Sequence, residues 1–118
     1  MTGTREKRQA LRIPPFVAPC RYVLDGRRVA GFFTDLSSRG GRVHTEIEPP
    51  PVETRVTVEI RLGRQPTHLR LPAAVEWGRP SARGGFVFGV SFEDIGSDEQ
   101  RVIDGVVEEF RRRAASIE

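Results

Sequence analysis

From Arg55 to Leu62 the chain reads RVTVEIRL, and the apolar residues Val56, Val58, Ile60 and Leu62 alternate without a break with Arg55, Thr57, Glu59 and Arg61. Only an extended strand turns successive side chains to opposite faces, so one face of this segment is buried and the other wet. A strand with one apolar face needs neighbours to pair with and a core to cover. The next segment repeats the pattern, with Leu69, Leu71, Ala73, Val75 and Trp77 on one parity. Pro72 falls on the outward parity and cannot donate to a ladder, which predicts an edge or a bulge there.

Four more strands fit around this pair. Phe16–Leu24 reads as the first, and Asp25-Gly26 as a hairpin turn, because glycine supplies the positive φ that two-residue turns need. The second runs roughly from Arg28 to Thr34. The third, Arg42–Glu46, is ended by Pro49-Pro50-Pro51, and the sixth spans Gly85–Glu93 after a loop rich in Pro, Ser and Gly. Between the second and third lies DLSSRGG, Asp35–Gly41, where Asp and Ser can satisfy local backbone donors and Gly40-Gly41 permits positive φ. This stretch reads as a turn. Six closely spaced strands predict a mainly β fold, a six-stranded antiparallel β-barrel.

The tail changes period. Ser97 followed by Gln100 forms a capping-box pattern, with Asp98 and Glu99 in the first turn, and Val102, Ile103, Val106, Val107 and Phe110 then share one helical stripe. A C-terminal α-helix over residues 97–113 packing on the barrel is expected. Its closing Arg111-Arg112-Arg113 suits the negative end of the helix dipole and reads as a solvated helix end.

At 118 residues the chain makes one domain, 1–118, with a barrel over 16–93. With 37% hydrophobic and 30% charged residues it is soluble and globular, and its apolar runs are far too short to span a bilayer. Residues 1–12, MTGTREKRQALR, are basic without a strand pattern and are separated from the barrel by Pro14-Pro15, which predicts a flexible arm. No apolar segment follows these basic residues as in a secretory leader, so a cytoplasmic location is expected. Cys20 is the sole cysteine, which excludes an internal disulfide, and with His44 and His68 the only histidines no ligand set is spaced for a metal. No nucleophile with a base and no carboxylate pair stands out, and the expectation is a protein that is not an enzyme and carries no cofactor.

The net charge is +3, and among the 19 basic residues Lys7 is the only lysine. Arginine suits forked contacts with phosphates and guanine edges, so an anionic partner fits; a GC-rich gene that spells basic residues as arginine explains the same count. Arg8 and Arg12 stand four apart ahead of the first strand, and Asp35, Ser37 and Gly40 follow the second. This RxxxR and DxSxxG pair, in this order ahead of and within a barrel, resembles the PilZ domain, a bacterial receptor module for cyclic di-GMP. The later segments fit as well: Ala73-Ala74-Val75-Glu76-Trp77 and Phe88-Gly89-Val90-Ser91-Phe92 precede the helix, so the resemblance runs from about Lys7 to about Arg113. Arg39, at a position often held by a small residue, and the Pro14-Pro15 pair fit less neatly.

The resemblance implies a cyclic di-GMP site made by Arg8, Arg12, Asp35, Ser37 and Gly40; Arg5, Lys7, Arg39, Gly41 and Arg42 are candidates for additional contacts, which the spacing itself does not show. The chemistry agrees. An arginine fork can bond guanine O6 and N7 or stack on a base, Asp35 can accept from the guanine N1 and N2 edge, Ser37 can bond a base or phosphate, and Gly40 leaves room for close approach. An arm ordered by ligand would present a changed surface to an unidentified protein partner. Two other readings stand beside this one. Arg83–Phe88 is faintly similar to the RNP1 signature of RNA-recognition modules, and RGG occurs twice, as in single-strand nucleic-acid binders, although Phe86, Phe88 and Phe92 on one parity suit a core. A PilZ-type interaction module without a ligand is the other.

Overall fold

The computed structural model describes residues 17–61 and 69–116. Six strands, β1 Ala18–Leu24, β2 Arg27–Ser37, β3 Gly40–Thr45, β4 Arg55–Ile60, β5 Leu69–Pro80 and β6 Phe86–Phe92, are followed by helix α1, Ser97–Ser116. They form one closed antiparallel barrel in the order β1-β2-β3-β6-β5-β4, with β1 pairing β4 to complete the ring. The expected barrel with a C-terminal helix is what the chain forms. The proposed arm, Leu62, His68 and Phe16 lie outside the described residues.

The alternation that predicts β4 packs as expected on its apolar side: Val56, Val58 and Ile60 enter the core with Tyr22, Phe33, Val43, Leu71, Val75 and Phe88. The opposite side is not uniformly wet. Glu59 is buried because Arg28 from β2 and Arg70 from β5 close over its carboxylate at 3.1 and 3.3 Å. Inside the barrel the Tyr22 hydroxyl meets Thr45 Oγ1 at 3.1 Å and its ring meets Phe88 edge-on, so the one phenol in the core is both packed and hydrogen-bonded. Cys20 is buried as expected.

Asp25 and Gly26 both have positive φ, the mark of the tight hairpin read from the sequence. Pro72 marks neither an edge nor a bulge. A closed barrel has no edge, and the proline sits where the β6 ladder runs out: its carbonyl accepts from Glu93 N at 2.9 Å, so the donor it lacks would face the same side, past the last pair.

Helix α1 lies against β2, with Ile103 fully buried in the barrel core and Val102, Val106 and Val107 packed around it. Its first intrahelical bond, Gln100 N to Gly96 O at 3.0 Å, makes Gly96 the N-cap and Ser97 the first helical residue, so the helix begins one residue earlier than the capping-box pattern implied. The arginines at its end pair with Glu108 and Glu109 of the same helix.

Candidate ligand-binding site

The DLSSRGG stretch is mostly strand. The β2–β3 register steps from Phe33 opposite Val43 to Asp35 opposite Arg42, so Thr34 is the extra residue of a bulge. Beyond it the alternation resumes in the other phase: Leu36 turns into the core, while Asp35 and Ser37 turn outward. The turn itself is only Ser38-Arg39, between the paired Ser37 and Gly40. The strand therefore extends three residues past Thr34, where the sequence ended it, because a bulge breaks alternation just as a turn does.

Three elements fix this turn. Arg39 N donates to Ser37 Oγ at 3.1 Å, the Arg39 carbonyl accepts from Phe92 N at 2.8 Å on β6, and Ser38 N donates to Asp104 Oδ1 of α1 at 3.1 Å. Gly40 has φ +152, and a side chain there would collide with the Val90 carbonyl; one on Gly41 would collide with the Asp35 carbonyl. Both glycines are thus required by the sheet itself, independently of any ligand.

Asp35, Ser37, Arg39, Gly40, Gly41 and Arg42 line one open hollow of about 350 Å³, completed by Trp77 and Val90. The structure thus brings together the turn half of the expected site, including three of its additional contacts. Arg42 Nη2 stands 3.5 Å from Asp35 Oδ2, and both side chains are more than half exposed. An exposed pair of this kind is worth at most about 1 kcal/mol, so either partner can exchange for a ligand group. Arg8, Arg12 and Lys7, the arm half, lie outside the described residues.

Trp77 lines the hollow without being marked for it in the sequence. Its parity with Leu71, Ala73 and Val75 predicted a core position, but Val75 pairs Val90 and Trp77 pairs Gly89, so Glu76 is the extra residue of a second bulge that rotates the indole outward. There it lies directly on Gly89, where any side chain would overlap the ring, and the Arg79 guanidinium sits 4.6 Å from the ring centroid. The signal was Gly89, a bare position in an otherwise bulky strand, which marks a close approach.

His44, across from Phe32, stacks on it at 5.1 Å and meets Thr34 Oγ1 at 3.0 Å. Partial burial first, then the neighbouring positive charges of Arg42 and Arg83, hold its pKa below the usual imidazole value, so it adds no charge to the site at neutral pH. Of the three phenylalanines of β6, Phe88 is fully buried and Phe92 packs against the core, which leaves no row of exposed rings for stacking bases. Among the described residues no group of three or more His, Cys, Asp or Glu could hold a metal ion, and no helix is long and apolar enough to cross a membrane.

No curated protein matches the sequence. Among solved structures, the barrel is similar to that of the inhibitor of motility MotI/DgrA of Bacillus subtilis, with a TM-score of 0.68, 12% identity, and coverage of 87% of this chain and 49% of that one. It is similar also to a tetrameric PilZ-domain protein of Xanthomonas campestris, self-assembled through a helical bundle, with a TM-score of 0.59, 23% identity, and coverage of 79% and 52%. The chain spans about half the length of each. The family model described as PilZ domain matches residues 6–109, from the basic arm through the barrel into α1. With the model covering most of the sequence and the same barrel in both solved relatives, the chain belongs to the PilZ domain family, whose members are non-catalytic receptor and adaptor modules.

Proposed function

We propose that this domain is a receptor for cyclic di-GMP, gripped between Arg8 and Arg12 on the N-terminal arm and Asp35, Ser37 and Gly40 on the barrel. The observation that carries the reading is the hollow beside the β2–β3 turn, where Asp35, Ser37 and Gly40 meet Arg39, Arg42 and the edge of Trp77 in one place. Asp35 accepts from guanine N1–H and N2–H once Arg42 swings from it to a phosphate. Ser37 Oγ already accepts from Arg39 N, and a hydroxyl that accepts one bond retains a proton to donate to a phosphate or base. At about 350 Å³ and open to solvent, the hollow takes part of a ligand with two guanines and two phosphates. The remainder needs a cover, which is the role of the arginine arm.

Neutralised by the anionic ligand, the arm orders across the barrel and alters the surface offered to a partner protein. In this reading the output passes through that partner from a cytoplasmic domain. A binding screen with cyclic di-GMP, GTP and a mixed single-stranded oligonucleotide at moderate salt tests it. Saturable binding of the dinucleotide alone is expected. Steeply salt-dependent binding of the oligonucleotide without the dinucleotide supports the nucleic-acid reading instead, and binding of none of the three supports an interaction module without a ligand.

A further inference from the structure

We infer that Asp104, on the C-terminal helix, is a positioning residue for the ligand-binding turn: its carboxylate holds the Ser38 amide and thereby sets the places of Ser37 and Arg39 in the hollow. The inference rests on the cyclic di-GMP reading for its effect on affinity, but the contact behind it is a property of the chain. Of the turn's two central amides, Arg39 N is held locally by Ser37 Oγ, whereas Ser38 N is held by Asp104, 66 residues away. Arg39 O is tied to β6. The turn is therefore pinned between barrel and helix, and Asp104 supplies the helix side.

Ser38 does not line the hollow, although Ser37, Arg39 and Gly40 do. Asp104 thus grips the turn from behind and does not occupy a place that a ligand phosphate would take. The same helix face continues the contact: Val107, Phe110 and Arg111, one and two turns further on, line a cleft of about 170 Å³ with Thr34, Asp35 and Leu36. Asp35 borders both this cleft and the hollow. A helix seated on β2 consequently presents Asp35 and Ser37 in one arrangement, and a ligand that selects this arrangement favours the seated helix in return.

The sign of the effect separates positioning from charge. Removing a carboxylate near a dianionic ligand strengthens binding by Coulomb's law alone, whereas losing the bond to Ser38 weakens it. Calorimetric titration of cyclic di-GMP into the wild type, Asp104→Ala, Asp104→Asn and Asp98→Ala makes the comparison. Asp104→Ala is expected to bind about threefold to tenfold more weakly, as for the loss of one hydrogen bond. Asp104→Asn keeps an acceptor for Ser38 N and binds at least as tightly as the wild type, and Asp98→Ala, which removes a charge from the same helix without touching the turn, leaves affinity unchanged. Equal or tighter binding by Asp104→Ala, or equal weakening by Asp98→Ala, overturns the inference. Amide exchange of Ser38 in the ligand-free variants gives a second readout: faster in Asp104→Ala and unaltered in Asp104→Asn is expected, and no change in Asp104→Ala overturns the inference. A wild type that does not bind cyclic di-GMP defeats the functional reading, while the Ser38 amide still decides whether Asp104 holds the turn.

Discussion

Replacing Gly40 by alanine separates a glycine kept for the sheet from one kept for a ligand. Its φ of +152 is disfavoured for an L-residue, at a cost of about 1–2 kcal/mol. The new Cβ would also overlap the Val90 carbonyl and stand 3.0 Å from Ser91 Cα, both backbone atoms of β6 that cannot rotate away. Overpacking of this kind adds about 1–3 kcal/mol. Gly40→Ala is therefore expected to lose about 2–5 kcal/mol, roughly 8–20 °C in melting temperature for a domain of this size. Gly26→Ala is the internal control: φ is +78, but nothing lies within 4 Å of the added methyl. It bears only the conformational cost, roughly 4–8 °C. Thermal unfolding followed by circular dichroism, without ligand, reads both. Gly40→Ala melting no lower than Gly26→Ala would refute the argument, and would return Gly40 to the role of a glycine kept clear for the ligand.

Other perturbations address the core and the site's rim. Burial pushes the Cys20 thiol up to about 12, so it should resist an aromatic disulfide reagent at pH 8 until denaturant is added, and rapid reaction in the native protein would contradict its burial. Because the folded value lies above the unfolded one, near 9, the buried thiol's contribution is complete below pH 9 and declines as pH rises toward 12; a urea midpoint that rises over that interval would contradict the sign. Glu59→Ala leaves Arg28 and Arg70 facing each other without their shared carboxylate and should cost about 1–2 kcal/mol in urea unfolding, with no loss at all as the contrary result. Trp77 is the only tryptophan and borders the hollow, so cyclic di-GMP should change the intrinsic fluorescence, and saturating ligand without any change would place the ligand elsewhere.

What the sequence disclosed follows from where its periodicity is undisturbed. The alternation of β4, the Asp25-Gly26 turn and the stripe from Val102 to Val107 each translate directly into strand, hairpin and packed helix face, because local geometry alone decides them. The two bulges are where periodicity misleads. An extra residue at Thr34 or Glu76 reverses the parity of everything after it, so Asp35–Ser37 looked like a turn and Trp77 like core. Both bulges border the same hollow, turning Asp35 and the indole outward into it. Asp104 was illegible for a different reason: a contact spanning 66 residues leaves no periodic trace in either segment. Glu59 stands on the outward parity and is nevertheless buried, because its cover comes from arginines on two other strands.

The central claim, that the arm and the turn together form one cyclic di-GMP site, is tested most directly by calorimetric titration of the dinucleotide into the wild type and the Arg8→Ala/Arg12→Ala variant. With each arginine contributing roughly 1–3 kcal/mol by analogy with bidentate guanine contacts, the double variant should bind on the order of 30-fold to 10,000-fold more weakly. Equal affinities would remove the arm from the site, and a wild type that takes up no ligand would contradict the receptor assignment itself.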